Sequence, residues 1–316
     1  MFSWTKGYYF GRRGLETKKL SLGKIITRII LSLMGSVAGL IILLMIFKSH
    51  LIYFPDKEIK LSPASIGWPF ENLWLTTSLG VKINAWYLPG PPEAAVALLF
   101  HGNAQNLQIL MGRIIMYHKL GYGVMAIDYD GFGLSQGSPS EQALYADAEA
   151  AWQFLISRGI KPESILIHGF SLGGGVASWL ALEHKNLANP LILDSSFTNL
   201  KDAAKYNYPL IKIVLPLVLG NSYDTKKRLS QLNSSFLMIF HSPEDKTVPF
   251  DLALENFESY KGGPKDLIKL RGGHTDFPLN QDLYYQAIEQ RFGMGGLGPD
   301  WLGKGKIEEI KSPITP

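Results

Sequence analysis

The stretch Ile165-Leu166-Ile167-His168-Gly169-Phe170-Ser171-Leu172-Gly173-Gly174-Gly175-Val176 decides how this 316-residue chain is read. An apolar run of strand character leads into a serine framed by glycines, and a helix-forming run, Val176 to Glu183, follows. A serine between such a strand and such a helix sits on a sharp turn with its hydroxyl presented outward. Small flanking residues let the strained turn close and let the helix pack near the strand. The pattern G-x-S-x-G alone is weak, because Gly133-Leu134-Ser135-Gln136-Gly137 also fits it. Ser135 is followed by Ser138-Pro139-Ser140-Glu141, a loop with a helix start. Context therefore selects Ser171 as the candidate nucleophile.

Outward from the elbow, short continuous apolar runs recur at Ala95–Phe100, Gly123–Asp128, Ser164–His168, Pro190–Asp194, Phe236–His241 and Leu267–Leu270. Such runs suit parallel strands buried on both faces. Helix-like segments over roughly 105–119, 141–158, 172–184, 249–260 and 280–291 alternate with them. Leu73–Thr77 and Val81–Tyr87 flank Ser78-Leu79-Gly80, which reads as a hairpin. The pattern predicts an α/β fold: a doubly wound, mostly parallel sheet with an antiparallel start and ligands at the strand C-termini. Residues 197–231 break the alternation, and both a small cap and a packed crossover remain open for them.

A serine hydroxyl needs a base to take its proton, and the base needs an orienting acid. Three histidines follow Ser171: His184 at the end of its helix, His241 at the end of a strand, and His274 in Arg271-Gly272-Gly273-His274-Thr275-Asp276. The loop position and flexible glycines favour His274. The acid is expected in a loop after a strand between them, which Ser242-Pro243-Glu244-Asp245-Lys246 supplies. Asp245 is preferred, with Glu244 its near competitor and Asp194 a distant one. Backbone N–H donors for an oxyanion are expected from Leu172, directly after the serine, and from Asn103 in the loop His101-Gly102-Asn103-Ala104-Gln105-Asn106. His101 is expected to hold that loop, and Asp276 to cap locally.

The chain has no cysteine, which excludes a thiol nucleophile and a Cys-based zinc site. No H-E-x-x-H or phosphate-loop pattern occurs, so neither a cofactor nor a metal is expected. Net charge is +4, but seven bases against one acid crowd residues 1–28, leaving the remainder slightly acidic. The basic balance therefore belongs to an N-terminal arm and does not point to nucleic acid. Ile29 to Phe47 is nineteen residues without a charge, nearly enough to cross a hydrocarbon core of ~30 Å. The expected organisation is a basic arm (1–28), a transmembrane signal anchor (29–50), a globular domain (51–293) and a flexible tail (294–316). Positive-inside orientation keeps the arm cytoplasmic and puts the domain on the periplasmic, extracellular or lumenal side. The expected partners are that membrane and a small-molecule or lipid ester substrate.

Several stretches together resemble the membrane-anchored α/β-hydrolase-domain proteins, a group related to serine-aminopeptidase-like hydrolases. They are residues 101–106, the run from Asp128 through Gly131-Phe132-Gly133 to Glu141, Gly169–Gly174, Glu244–Pro249 and Gly273-His274. The resemblance spans about Leu51 to Phe277. It implies an α/β-hydrolase fold, an N-terminal anchor, and Ser171, Asp245 and His274 as a catalytic triad. One departure is Asp130, where the family usually has arginine. The expected chemistry is ester hydrolysis through an acyl-enzyme. The alternatives are an aminopeptidase or other amidase, for which Asp130 would help hold a substrate amine, and a catalytically idle binding module.

Overall fold

The computed structural model describes residues 22–187, 189–208, 213–233 and 235–296, and the chain divides into two units, residues 1–45 and 46–316. In the first unit the described residues lie in helix α1, Leu22–Ile46, which is apolar along most of its length. No residue of α1 is buried by protein. A 25-residue helix rises about 1.5 Å per residue, so it is long and apolar enough to cross a bilayer. It starts seven residues before the apolar run, carrying Lys24 and Arg28 in its first turns. A helix tolerates such long cations at its end because their charges reach the interface. The expected arm therefore becomes helical from Leu22, while residues 1–21, like the tail from 297, lie outside the described residues.

The second unit is built on an eight-stranded sheet of order β10-β9-β8-β7-β4-β6-β3-β2. The strands are β2 (Glu71–Thr76), β3 (Lys82–Leu88), β4 (Val96–Phe100), β6 (Gly123–Ile127), β7 (Ile165–Phe170), β8 (Leu191–Asp194), β9 (Leu237–His241) and β10 (Lys265–Lys269). β2–β3 and β3–β6 are antiparallel, and the remaining pairs are parallel. Residues of β4, β6, β7, β8 and β9 are buried throughout, as their unbroken apolar runs require. Ala97, Leu99, Val124, Ala126 and Leu166 point to one face, where α3 (Met111–Lys119) and α10 (Gln281–Phe292) cover them. Their alternating neighbours face α4 (Glu141–Ser157), α5 (Leu172–Glu183) and α9 (Phe250–Ser259). Ser140 starts α4 by accepting the Ala143 N–H, as a polar N-cap does.

Two features were not foreseen. A second, two-stranded parallel sheet pairs β1 (Phe54–Pro55) with β5 (Ala104–Gln105). Residues 197–231 contain three short helices, α6 (Leu200–Asn207), α7 (Leu215–Leu219) and α8 (Thr225–Leu229), with 209–212 outside the described residues. A short helix α2 (Lys48–Ile52) precedes β1, and its Lys48 Nζ donates to Ser222 Oγ at 3.1 Å.

The order β7-β4-β6 makes β4 the point where the connections change direction, and the loops after β4, β7, β9 and β10 open on one edge. That is where open α/β sheets place ligands. Close packing there depends on Gly173: a Cβ on this residue would meet the Phe100 and His101 carbonyls well inside van der Waals contact. Gly173→Ala is expected to destabilise the domain by about 1–3 kcal/mol or more, read as a fall in Tm of the full chain in detergent.

Candidate active site

β7 ends at Phe170 and α5 begins at Leu172, leaving Ser171 alone in the turn with φ 54° and ψ −115°. A non-glycine residue there costs about 1–3 kcal/mol and persists only when its surroundings over-determine it. Three hydrogen bonds do so. Ser171 N–H donates to the Asp194 carbonyl at 2.8 Å, and the Ser171 carbonyl accepts from Gly174 N–H at 3.0 Å and Ser196 Oγ at 2.9 Å. Gly169 and Gly173 leave no room for side chains inside the turn.

His274 lies 103 residues further along the chain and puts its Nε2 2.9 Å from Ser171 Oγ. Its Nδ1 is 2.7 Å from Asp245 Oδ2. A carboxylate only accepts, so Nδ1 carries the proton and the Nε2 lone pair faces the serine O–H. Gly272, at φ 78°, turns the loop, and Asp276 Oδ2 accepts the Gly273 N–H at 2.6 Å, the local role expected of it. Asp245 is buried, and its other oxygen accepts from Thr247 and Val248 N–H at 2.8 and 2.9 Å. Burial pushes its pKa up, but hydrogen bonding and charge from His274, with the two amides, outweigh this and hold it below the usual carboxylate value. Glu244, its competitor, is exposed.

The other candidates have structural partners. Ser135 Oγ donates to the Asp128 carbonyl and accepts from Asn84 N–H, both at 2.8 Å, inside the protein. His184 bonds Glu149 at 3.0 Å and stacks on Trp152. His241 is buried and donates from Nε2 to the Val248 carbonyl at 2.9 Å, tying down the loop that carries Asp245. Asp194 caps no helix. Its carboxylate accepts from Arg113 Nε at 2.7 Å and from Tyr284 Oη at 2.6 Å. Burial would raise its pKa, but Arg113, His168 and Tyr284 hold it well below the usual range. The same guanidinium lies over Phe170, which precedes the serine, and over Phe277, three residues after His274, at 4.5 and 4.6 Å from the ring centroids. This support was missed because the partners of Asp194 come from three distant segments.

The loop 101–106 comes directly against the elbow: a Cβ on Gly102 would stand 3.4 Å from Ser171 Cβ. Leu172, the first residue of α5, has one of the N–H groups that a helix leaves without an internal acceptor. His101 donates from Nδ1 to the Gly102 carbonyl at 2.7 Å, and burial drives its pKa down to about 4. It therefore stays neutral and holds the loop. Among the described residues no cluster of three or more His, Cys, Asp or Glu could hold a metal ion.

Asp130 is buried against Asp147, whose Oδ2 accepts the Asp130 N–H at 2.9 Å. Asp130 is only 3% exposed and its Oδ1 is buried, so the carboxylate is closed off from solvent, which corrects the expectation that it would help receive a substrate amine. Burial, together with the Asp130 charge, raises the Asp147 pKa to about 9, so the pair keeps a proton.

The family model for serine aminopeptidase, S33, matches residues 90–249. The α/β-hydrolase domain-containing protein WAV2 of Arabidopsis thaliana is 29% identical over 240 residues, covering 70% of this chain and 78% of that protein. The uncharacterized membrane protein YNL320W of Saccharomyces cerevisiae is 27% identical over 230 residues, with 72% and 81% covered. The Pyrococcus furiosus esterase Pf2001 superposes with a TM-score of 0.64 at 18% identity, covering 77% of this chain and 98% of that one. This last likeness concerns the fold.

The Asp130–Asp147 pair makes stability depend on pH. Folded Asp147 keeps its proton to about pH 9, whereas the ordinary value is 3.8. Its contribution is full below the ordinary value and is lost as pH rises through that window, with a slope of at most about 1.4 kcal/mol per pH unit. Asp147→Asn is expected to flatten the fall in Tm between pH 5 and pH 9.

Proposed function

Since the chain belongs to the serine aminopeptidase S33 family of α/β-hydrolases, we propose that it is a membrane-anchored serine hydrolase that cleaves carboxylic esters through Ser171, His274 and Asp245. The observation that carries this reading is the unbroken line from Ser171 Oγ to His274 Nε2 and from His274 Nδ1 to Asp245 Oδ2. Ser171 Oγ attacks the ester carbonyl carbon while its proton passes to His274 Nε2. Asp245 orients the ring and stabilises the imidazolium. The carbonyl oxygen takes up negative charge against the Leu172 and Asn103 N–H groups. Collapse of the tetrahedral species expels the alcohol, which takes the proton from His274. Water then attacks the acyl-serine, again deprotonated by His274, and the acid leaves with Ser171 restored.

Burial of Asp130 favours an ester over an amine-bearing substrate, because it withdraws the acid that the sequence offered for an ammonium group. The family description gives amide hydrolysis its standing as the second reading. An idle binding module accounts poorly for a strained serine, a histidine and an aspartate joined in one line of hydrogen bonds. The anchor reading rests on α1, and the basic residues before it favour an N-terminus in the cytoplasm with the hydrolase domain on the opposite side. Lipid and acyl-protein esters would then be within reach.

A fluorophosphonate probe should label the wild type and leave Ser171→Ala unlabelled; labelling that survives moves the nucleophile elsewhere. Ser135→Ala should label normally. Asp245→Asn should lower ester kcat by about 10⁴-fold, since the imidazole loses its orienting acceptor, while Glu244→Gln leaves it near wild type. A panel of acyl esters and aminoacyl amides decides between the two substrate classes, with faster amide cleavage overturning the ester reading. In spheroplasts, external protease should degrade the domain; full protection would reverse the orientation.

A further inference from the structure

The segment linking the apolar helix to the domain is held directly by the loop that faces Ser171. Phe54 N–H donates to the Asn103 carbonyl at 2.8 Å, and Asn103 Nδ2 donates to the Ile52 carbonyl at 2.8 Å. Asp56 N–H donates to the Gln105 carbonyl at 2.8 Å, completing the short parallel pairing of Phe54–Pro55 with Ala104–Gln105. Asn106 Nδ2 reaches the Asp56 and Glu58 carbonyls at 3.1 and 2.8 Å. The loop needs this support. Gln105 has φ 66° without being glycine, a conformation that neighbours must impose. Among the described residues, no donor other than this linker reaches the Asn103 and Gln105 carbonyls.

The linker is equally fixed on its other side. Ile52 and Tyr53 are 6% exposed. Tyr53 Oη and Tyr223 Oη share a hydrogen bond of 2.7 Å, and Lys48 Nζ reaches Ser222 Oγ. Gly133 N–H donates to the Asp56 carbonyl at 3.0 Å, and Lys57 Nζ to the Ser135 carbonyl at 3.0 Å. Residues 48–57 thus join the α7–α8 segment, the Gly131–Gly137 loop and the loop after β4.

We infer that this membrane-proximal linker is a positioning element of the hydrolytic site: Ile52 and Phe54 hold Asn103 so that its N–H is aimed at the oxyanion. The inference rests on the reading of Ser171 as nucleophile. Asn103 is the group that touches the reacting atoms, and Phe54 acts through it. The peptide unit whose oxygen binds Phe54 N–H is the one following Asn103. Fixing that oxygen and the Asn103 side chain pins the residue on two sides and leaves its own N–H a single direction. Oxyanion stabilisation depends on such prior alignment, because donors that must reorient during the reaction lose most of their advantage.

The test isolates one backbone donor in the full chain purified in detergent. Phe54→Pro removes the N–H. Tyr53, at φ −109° and ψ 130°, already has the extended conformation that a following proline requires. Phe54→Ala keeps the N–H and removes a side chain that is 52% exposed. Phe54→Pro is expected to lower ester kcat by about 10²-fold with KM nearly unchanged, the signature of a misaligned oxyanion donor. Affinity for an arylboronic acid, which forms a tetrahedral adduct, should fall in parallel. Phe54→Ala should keep wild-type kcat, and both variants should keep the wild-type circular dichroism. A folded Phe54→Pro protein with wild-type kcat overturns the inference. If this variant does not fold, Asn103→Ala decides: it should lower kcat about tenfold at constant KM, as expected for one lost hydrogen bond to an aligned group, and an unchanged kcat overturns the proposal. Activity that persists in Ser171→Ala would instead refute the nucleophile assignment, an outcome separate from these.

Discussion

The domain is organised around a serine forced into a left-handed backbone conformation between a strand and a helix. At φ 54° Ser171 gains nothing locally, so the conformation must be imposed from outside. Glycine at 169 and 173 removes the atoms that would collide with the turn and with the end of β4. The Asp194 carbonyl on β8 takes the serine N–H. The Asp194 side chain is in turn fixed by Arg113 from α3 and Tyr284 from α10. The elbow is thereby secured through helices of the sheet face opposite α5. Removing one partner of such a buried ion pair typically costs about 3–5 kcal/mol, because the other charge is left without compensation. Arg113 also lies against Phe170 and Phe277, so one guanidinium braces the approaches to both Ser171 and His274.

The histidines divide by burial in a way that serves the site. Burial lowers the pKa of His101, His168 and His241, which keeps these rings neutral. Each then serves as a fixed donor or acceptor: His101 on the Gly102 carbonyl, His168 accepting from Tyr117, His241 on the Val248 carbonyl. A neutral ring keeps its tautomer and does not repel a proton arriving elsewhere. His274 alone lies between a serine hydroxyl and a carboxylate, with its side chain 13% exposed. That is the position in which a ring can exchange protons with a substrate.

Most of the sheet was legible because a strand buried on both faces must be apolar throughout, and few other settings tolerate Ala95–Phe100 or Gly123–Ile127. Ser171, Asp245 and His274 were legible for another reason: each sits in the connection that follows a strand, β7, β9 and β10, so the fold brings all three to one edge. What escaped was determined by partners remote in sequence. Nothing around Asp194 announces Arg113, 81 residues away. Nothing around Asp130 announces a protonated Asp147. The apolar run beginning at Ile29 hid the earlier start of α1, because composition marks where lipid would suit a helix and not where hydrogen bonding begins. The β1–β5 pair was illegible because two-residue strands carry no period.

That small pair alters how the anchor is understood. A flexible tether would contribute only local concentration, and its composition would matter little. Here the chain enters the domain through α2 and β1 with buried side chains and a run of backbone hydrogen bonds, and it is fixed within ten residues of the end of α1. Such a linker has little conformational entropy left to lose. It bonds three elements: the loop after β4, the α7–α8 segment and the Gly131–Gly137 loop. A displacement too small to unfold anything can still misalign an oxyanion donor, since catalytic geometry tolerates only a fraction of an ångström. The hydrogen bonds that fix residues 52–56 are the same ones that hold the loop after β4 beside Ser171.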